Sequence, residues 1–322
     1  MSEAVAVAHP NVALSKYWGK REGEGNFPAV PSLSVTLDGL ITRTRVRFHA
    51  TLGEDRVVLG GEEAGAAARA RVVDLLERVR QAAGERRRAE VVSRNDFPTA
   101  SGLASSASGF AALALAAVRA AGLDWDAARV SDLARRSSAS AARSVFGGFV
   151  ELAVGEASAR PVAPREALPL VVLVCVTAEG PKAVGSSDGM RLTMERSPYA
   201  RAWLEEAPRT HARLRDALLA RDFPRVGELA EASALAMHAS AIAAGIVYWN
   251  AATLEVLAAV RSLRAAGTAA FASIDAGPHV KVLVPPADVA RARPALEALA
   301  GVRRIIEARP GEGARLAPPE EP

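Results

Sequence analysis

Along the first half of the chain the spacing of apolar residues switches repeatedly between a period of two and a period near 3.6. Val5 to His9, Ile41 to Ala50 and Arg88 to Arg94 carry β-branched residues in alternation and read as strands. Glu63 to Ala83 and Asp126 to Arg136 carry theirs at helical spacing. The turn Pro98-Thr-Ala-Ser-Gly102 opens into Leu103 to Ala121, a run of Ala, Ser, Leu and Gly at helical spacing, whose small side chains suit close packing against a sheet or a ligand. Val145 to Val154 reads as a strand opened by Gly147-Gly148, and Leu168 to Val176 as a wholly apolar one.

A domain boundary is expected just after that strand, at Thr177 to Lys182. Helices dominate beyond it, over Pro198 to Arg221, Phe223 to His238 and Asn250 to Ala266. The chain then closes on strand, strand, helix, strand: Thr268 to Ile274, Val280 to Val284, Pro286 to Ala300 and Val302 to Glu307. No repeat of solenoid period is present, and the Pro- and Glu-rich end from Arg309 reads as disordered. The expectation is two mixed α and β domains, 1–178 and 179–308, with a tail over 309–322.

Composition narrows the class. With 50% hydrophobic and 24% charged residues in 322, the chain lies inside the globular range and can bury two ordinary cores. The single cysteine, Cys175, cannot form an internal disulfide or build a cysteine metal site, and its apolar neighbours make it a buried strand residue. A reducing cytoplasm fits, since the N-terminus lacks a basic start and long apolar core and no segment reads as a membrane span. The net charge of +4 comes from Arg residues spread along helices, whereas nucleic-acid binding wants them gathered on one face with aromatic platforms.

The candidate chemistry begins at Pro98-Thr-Ala-Ser-Gly-Leu-Ala-Ser-Ser-Ala-Ser-Gly109. A Gly- and Ser-rich turn running into a helix aims unpaired N–H groups and the positive helix end at one point, where phosphate binds. It has neither the Gly-Lys-Ser/Thr ending of a Walker loop nor the glycine spacing of the dinucleotide fingerprint. Composition alone fits a packing helix equally well.

Word order decides further. With Asn95-Asp-Phe97, the segment resembles the phosphate motif Pro-x-x-x-Gly-Leu-(Gly/Ala)-Ser-Ser of the galactokinase, homoserine kinase, mevalonate kinase and phosphomevalonate kinase superfamily, in the variant of its diphosphomevalonate decarboxylase branch. Three more blocks resemble that branch in the same order, and the likeness runs from about His9 to Val284. They are Asn11-Val-Ala-Leu-Ser-Lys-Tyr-Trp-Gly-Lys20, Ala134 to Phe149, and Ile274-Asp-Ala-Gly-Pro278. The departures are Val30-Pro31, Ser137, Ala139 and His279.

The resemblance implies an α+β fold of two domains: an N-terminal one like domain 2 of ribosomal protein S5 and a C-terminal ferredoxin-like α/β sandwich. It implies ATP-dependent decarboxylation of mevalonate 5-diphosphate to isopentenyl diphosphate, through phosphorylation of the 3-hydroxyl. Asp275, Lys16 and Arg143 are the implied catalytic residues. Asn11, Tyr17, Lys20, Ser140 and Ser186 are implied to bind substrate. Ser93, Asn95, Pro98, Gly102, Leu103, Ala104, Ser105 and Ser106 are implied to bind ATP, with Ser106 as a candidate Mg²⁺ ligand. His238 is left out of this set, because a His on an apolar helix face is usually a packing residue. The expected assembly is a homodimer with no membrane or nucleic-acid partner. Action on the 5-monophosphate, and a non-catalytic nucleotide-binding relative, are the competing readings.

Overall fold

The computed structural model describes residues 3–21, 23, 25–97, 105–180 and 183–318. The strands read at Val5 to His9, Ile41 to Ala50 and Arg88 to Arg94 form, and further strands stand between and beyond them. Strands β1 (Glu3–Ala8), β2 (Asn11–Ser15), β3 (Ser32–Thr36), β4 (Thr42–His49), β5 (Arg56–Leu59) and β6 (Glu62–Glu63) precede helix α1 (Ala66–Ala83) and β7 (Arg88–Asn95). Then come α2 (Ser105–Ala120), α3 (Ala127–Ser137), the single turn α4 (Ala141–Ser144), β8 (Phe149–Leu152) and β9 (Arg160–Ala163). One sheet has the order β14-β1-β4-β7-β5-β6, its first strand coming from the far end of the chain, and a second has β2-β3-β8-β9. The small residues of α2 allow it to lie tightly on the large sheet: Ala111, Ala114 and Ala117 are buried with Val46, Phe48 and Val91.

The remainder runs β10 (Val171–Val176), α5 (Ser186–Arg196), α6 (Ala200–Leu219), α7 (Phe223–Ala243), α8 (Ala251–Ala265), β11 (Phe271–Ile274), β12 (Val280–Val284), α9 (Val289–Glu297), β13 (Arg304–Ala308) and β14 (Arg315–Ala317). β10 to β13 form an antiparallel sheet in the order β11-β12-β10-β13, the ferredoxin-like arrangement. This sheet and the β2-β3-β8-β9 sheet share one core: Leu14, Leu33, Val35 and Phe149 pack with Val172, Val174, Leu214, Leu218, Leu229 and Phe271. That common core carries the end of β2 to the end of β11.

Three expectations need correction. β10, read as the last strand of the first domain, is a central strand of the third sheet, between β12 and β13; an apolar strand buried on both faces gives no sign of which sheet it joins. The end from Arg309 is ordered through Pro318, with β14 antiparallel to β1 and Gly311 N–H donating to Thr36 O at 2.8 Å. Its glycines serve close approach: a Cβ on Gly313 would meet Val145 O at 2.5 Å. Residues 319–322 lie outside the described residues. Finally, residues 145–148 form a turn before β8, since Gly148 has φ +71 and a Cβ there would meet Ala163 O at 2.6 Å.

Candidate active site

Lys16 follows directly on β2. A bulge between Ala13 and Ser15 interrupts that strand, and the Ala13 carbonyl accepts from Lys16 Nζ at 2.8 Å. The same ammonium donates to Ser273 Oγ at 2.8 Å and to Asp275 Oδ1 at 2.6 Å, so its three hydrogens have three protein acceptors. Asp275 sits just past β11, where a tight turn (Gly277 N–H to Asp275 O, 2.7 Å) reverses the chain. Burial pushes its carboxyl up, but the Lys16 and Lys281 ammoniums outweigh that and hold it well below the usual carboxylate range. Burial pulls Lys16 down to about 8 against the pull of Asp275, so the pair is ionised at neutral pH.

Arg143, 1% exposed, is fixed from three sides. Its Nε and one terminal nitrogen donate to Ser34 Oγ (2.9 Å) and Ser32 Oγ (2.6 Å) on β3, and the other terminal nitrogen to Asn11 Oδ1 (3.3 Å) on β2. Asn11 is itself held through Nδ2 by Ser140 O and Ser144 Oγ. Three of five guanidinium hydrogens are thereby used, leaving one on each terminal nitrogen for an anion. Burial pulls Arg143 down to about 10, which leaves it charged.

One cavity of about 640 Å³ collects these groups. Asn11, Lys16, Tyr17, Lys20, Ser140, Arg143, Ser186, Asp275, Ser105 and Ser106 all line it. Lys20 Nζ is poised between Asn26 Oδ1 (2.8 Å) and Ser187 Oγ (2.9 Å), and burial lowers its pKa, helped by Arg71 and opposed by Asp188. Burial pushes the Tyr17 phenol up, so it is a neutral donor. Ser186 opens α5, whose N-cap is Gly185.

Other expected residues fall elsewhere. Ser93 and Asn95 on β7 are tied to Thr44 (2.8 Å) and Thr42 (2.6 Å) and are not on the cavity wall. Pro98, Gly102, Leu103 and Ala104 lie outside the described residues. His238 is buried, its ring 5.0 Å from that of Trp249, and burial pulls it down to about 4. His279 accepts from Thr177 N at 3.1 Å and so ties β12 to the end of β10. Burial pushes Cys175 to about 12, leaving an inert thiol.

Two cations escaped the sequence reading. Arg71 on α1 lines the cavity, its guanidinium 4.4 Å from the Phe110 ring and donating to Ser137 O at 2.8 Å. Nothing distinguishes it from the other arginines of an Arg-rich helix. Lys281 did leave a signal, a lone Lys inside the apolar strand Val280-Lys-Val-Leu-Val284.

Residues 8–163 match the model of the diphosphomevalonate decarboxylase-like N-terminal domain, and residues 172–312 that of the mevalonate 5-diphosphate decarboxylase C-terminal domain. The human diphosphomevalonate decarboxylase is 36% identical over 310 residues, covering 88% of this chain and 76% of the relative. The phosphomevalonate decarboxylase of Haloferax volcanii is 37% identical over 271 residues, covering 81% and 82%. A solved structure of MDDEF in complex with MVAPP, AMPPCP and magnesium superimposes with a TM-score of 0.90 at 38% identity, covering 98% of both chains.

Proposed function

We infer the reaction from one premise: this chain belongs to the diphosphomevalonate decarboxylase family. It is an ATP-dependent enzyme that converts mevalonate 5-diphosphate to isopentenyl diphosphate, carbon dioxide, ADP and phosphate. The observation that carries this reading is the ionised Asp275, 2.6 Å from Lys16, on the wall of a cavity shared with Arg143 and with the cations Lys20 and Arg71.

A tertiary hydroxyl is a poor leaving group, so phosphorylation must come first. Asp275 accepts the hydrogen bond of the 3-hydroxyl and points its oxygen at the γ-phosphorus of ATP, whose bond to ADP breaks as the new P–O bond forms, and the hydroxyl proton passes to an oxygen of the transferred phosphoryl group. The C3–O bond then breaks with departure of phosphate. The C1–C2 bond releases carbon dioxide, and its electron pair becomes the C2–C3 double bond. Arg143 keeps the substrate carboxylate in line through these steps, and Lys16 offsets the charge that develops beside Asp275.

Donors for the 5-diphosphate are Tyr17, Lys20, Arg71 and the start of α5 at Ser186. Ser105 and Ser106, in the first turn of α2 on the same wall, fit the nucleotide phosphates. Among the described residues no group of three or more His, Cys, Asp or Glu could hold a metal. Ser106 would help hold Mg²⁺, and the ion would neutralise phosphate charge.

A second reading, action on the 5-monophosphate, is favoured by the likeness to the Haloferax volcanii enzyme. One assay separates the two: ATP consumption and carbon dioxide release with mevalonate, its 5-phosphate and its 5-diphosphate side by side. The expected order puts the diphosphate about two decades ahead in kcat/KM, since the distal phosphate's charged partners would otherwise be stranded. Equal or better use of the monophosphate would transfer the assignment to phosphomevalonate decarboxylase.

A further inference from the structure

Asp275 meets a second ammonium. Lys281 Nζ is 3.1 Å from Oδ2 while Lys16 Nζ is 2.6 Å from Oδ1, and both lysine side chains are 2% exposed. Strand register creates this clamp: Lys281 on β12 is directly opposite Ser273 on β11, and Ser273 Oγ accepts from Lys16. The other four residues of β12 are apolar and buried, surroundings in which a lysine is strongly destabilising without an anionic partner. Asp275 is 23% exposed and lines the cavity, whereas Lys281 does not reach the wall.

Resting on the reaction above, we propose that Lys281 is a positioning residue for phosphoryl transfer, gripping Asp275 Oδ2 so that the carboxylate presents one fixed face to the substrate hydroxyl. Two cations, one on each oxygen, set the carboxylate plane, which a single contact to Oδ1 leaves able to swing. They also make Asp275 a weak base and a strong orienting acceptor. The charged and titratable groups facing Asp275 are Lys16 after β2, Lys281 on β12, Arg143 on α4 and His238 on α7. Without Lys281, Lys16 and Arg143 still keep Asp275 ionised at neutral pH, but it takes up a proton at higher pH than before.

The test compares Lys281→Met and Lys281→Arg with the wild type. Lys281→Met should lower kcat about ten- to hundredfold and leave KM for ATP and substrate within about threefold. Lys281→Arg, which keeps the charge, should recover most of kcat. A kcat within threefold of wild type in Lys281→Met, or no recovery in Lys281→Arg, overturns the role. Carboxyl ¹³C NMR of the unliganded proteins reads the same contact without turnover: Asp275 must titrate at higher pH in Lys281→Met, and an unchanged titration overturns the proposal even if no mevalonate derivative is turned over. Should the Met variant fail to fold, Lys281→Gln replaces it with the same readouts. A wild type inactive on every mevalonate phosphate but showing the shifted titration would refute the reaction and keep the clamp.

Discussion

Asp275 is a half-buried carboxylate with a full ammonium within hydrogen-bond distance of Oδ1. Asp275→Asn removes the charge at nearly constant shape, so ATP and substrate affinities should stay within a few fold while kcat falls by about three decades. Calorimetric titration beside steady-state kinetics measures both, and turnover within tenfold of wild type would remove Asp275 from the chemistry. Lys20 works at the other end of the cavity, hydrogen-bonded to two neutral acceptors, Asn26 and Ser187, with Asp188 near it. Lys20→Ala should therefore shrink the preference for diphosphate over monophosphate, and an equal loss on both substrates would deny it the distal phosphate. Residues at this scale were legible where a motif carries them: Lys16, Tyr17 and Lys20 lie within five positions of each other. Arg71 and Lys281 come to the site through tertiary packing alone, and Ser93 and Asn95, implied by the resemblance to bind ATP, are hydrogen-bonded to Thr44 and Thr42.

Two helices aim their N-termini at the cavity. In α5, a Cβ on Gly189 would meet the Tyr248 hydroxyl at 2.2 Å and the Trp18 ring at 3.0 Å, so the glycine is what lets this helix close on the residues that follow β2. Gly189→Ala should push α5 outward together with Ser186 and Ser187, raising KM for substrate about tenfold with a smaller change in kcat, and lowering stability by about 1–3 kcal/mol. Unchanged kinetics with an unchanged melting temperature would mean that Tyr248 moves aside freely. The same glycine hid the helix from sequence reading, because mid-helix Gly weakens the periodic signal. In α2, Ser105 and Ser106 stand in the first turn, ahead of the alanines that pack on the sheet. Replacing both with Ala favours the helix itself and removes two hydroxyls from its ligand end. Mg-ATP affinity should then drop well beyond substrate affinity, and an unchanged ATP titration would reduce the segment to a packing helix.

At the scale of the molecule, the site exists because two halves share a core. The periodicity in the sequence revealed nearly every long element, yet it gave no sign of the sheet that β10 joins and read no structure in β14. Partner choice between strands depends on contacts far apart in the chain: β14 finds β1 across some three hundred residues. The shared core also encloses a polar link. Ser15 on β2 is hydrogen-bonded to His211 Nδ1 on α6 at 2.9 Å, and His211 Nε2 to Glu151 Oε1 on β8 at 2.6 Å, all three side chains buried. Ser15 Oγ also accepts from Leu33 N at 2.8 Å, which fixes the hydroxyl one residue before Lys16.

That link gives the fold a predictable acid sensitivity. Hydrogen bonding to His211 above all, then to Arg160, holds Glu151 down to about 2 against burial, from an ordinary value of 4.5. A depressed carboxylate contributes stability that is complete above its unfolded pKa and is lost as pH falls through its folded one, here from about pH 4.5 to about pH 2. Glu151→Gln keeps the shape and cannot ionise. It should be less stable than wild type at neutral pH, because His211, Arg160 and Arg215 lose their anion. As the wild-type carboxylate takes up its proton the two proteins become alike, so the gap in unfolding free energy should narrow steadily below pH 4.5. Urea unfolding of both proteins across this range measures the gap. A difference that stays constant with pH would show that Glu151 does not hold the two halves together through its charge.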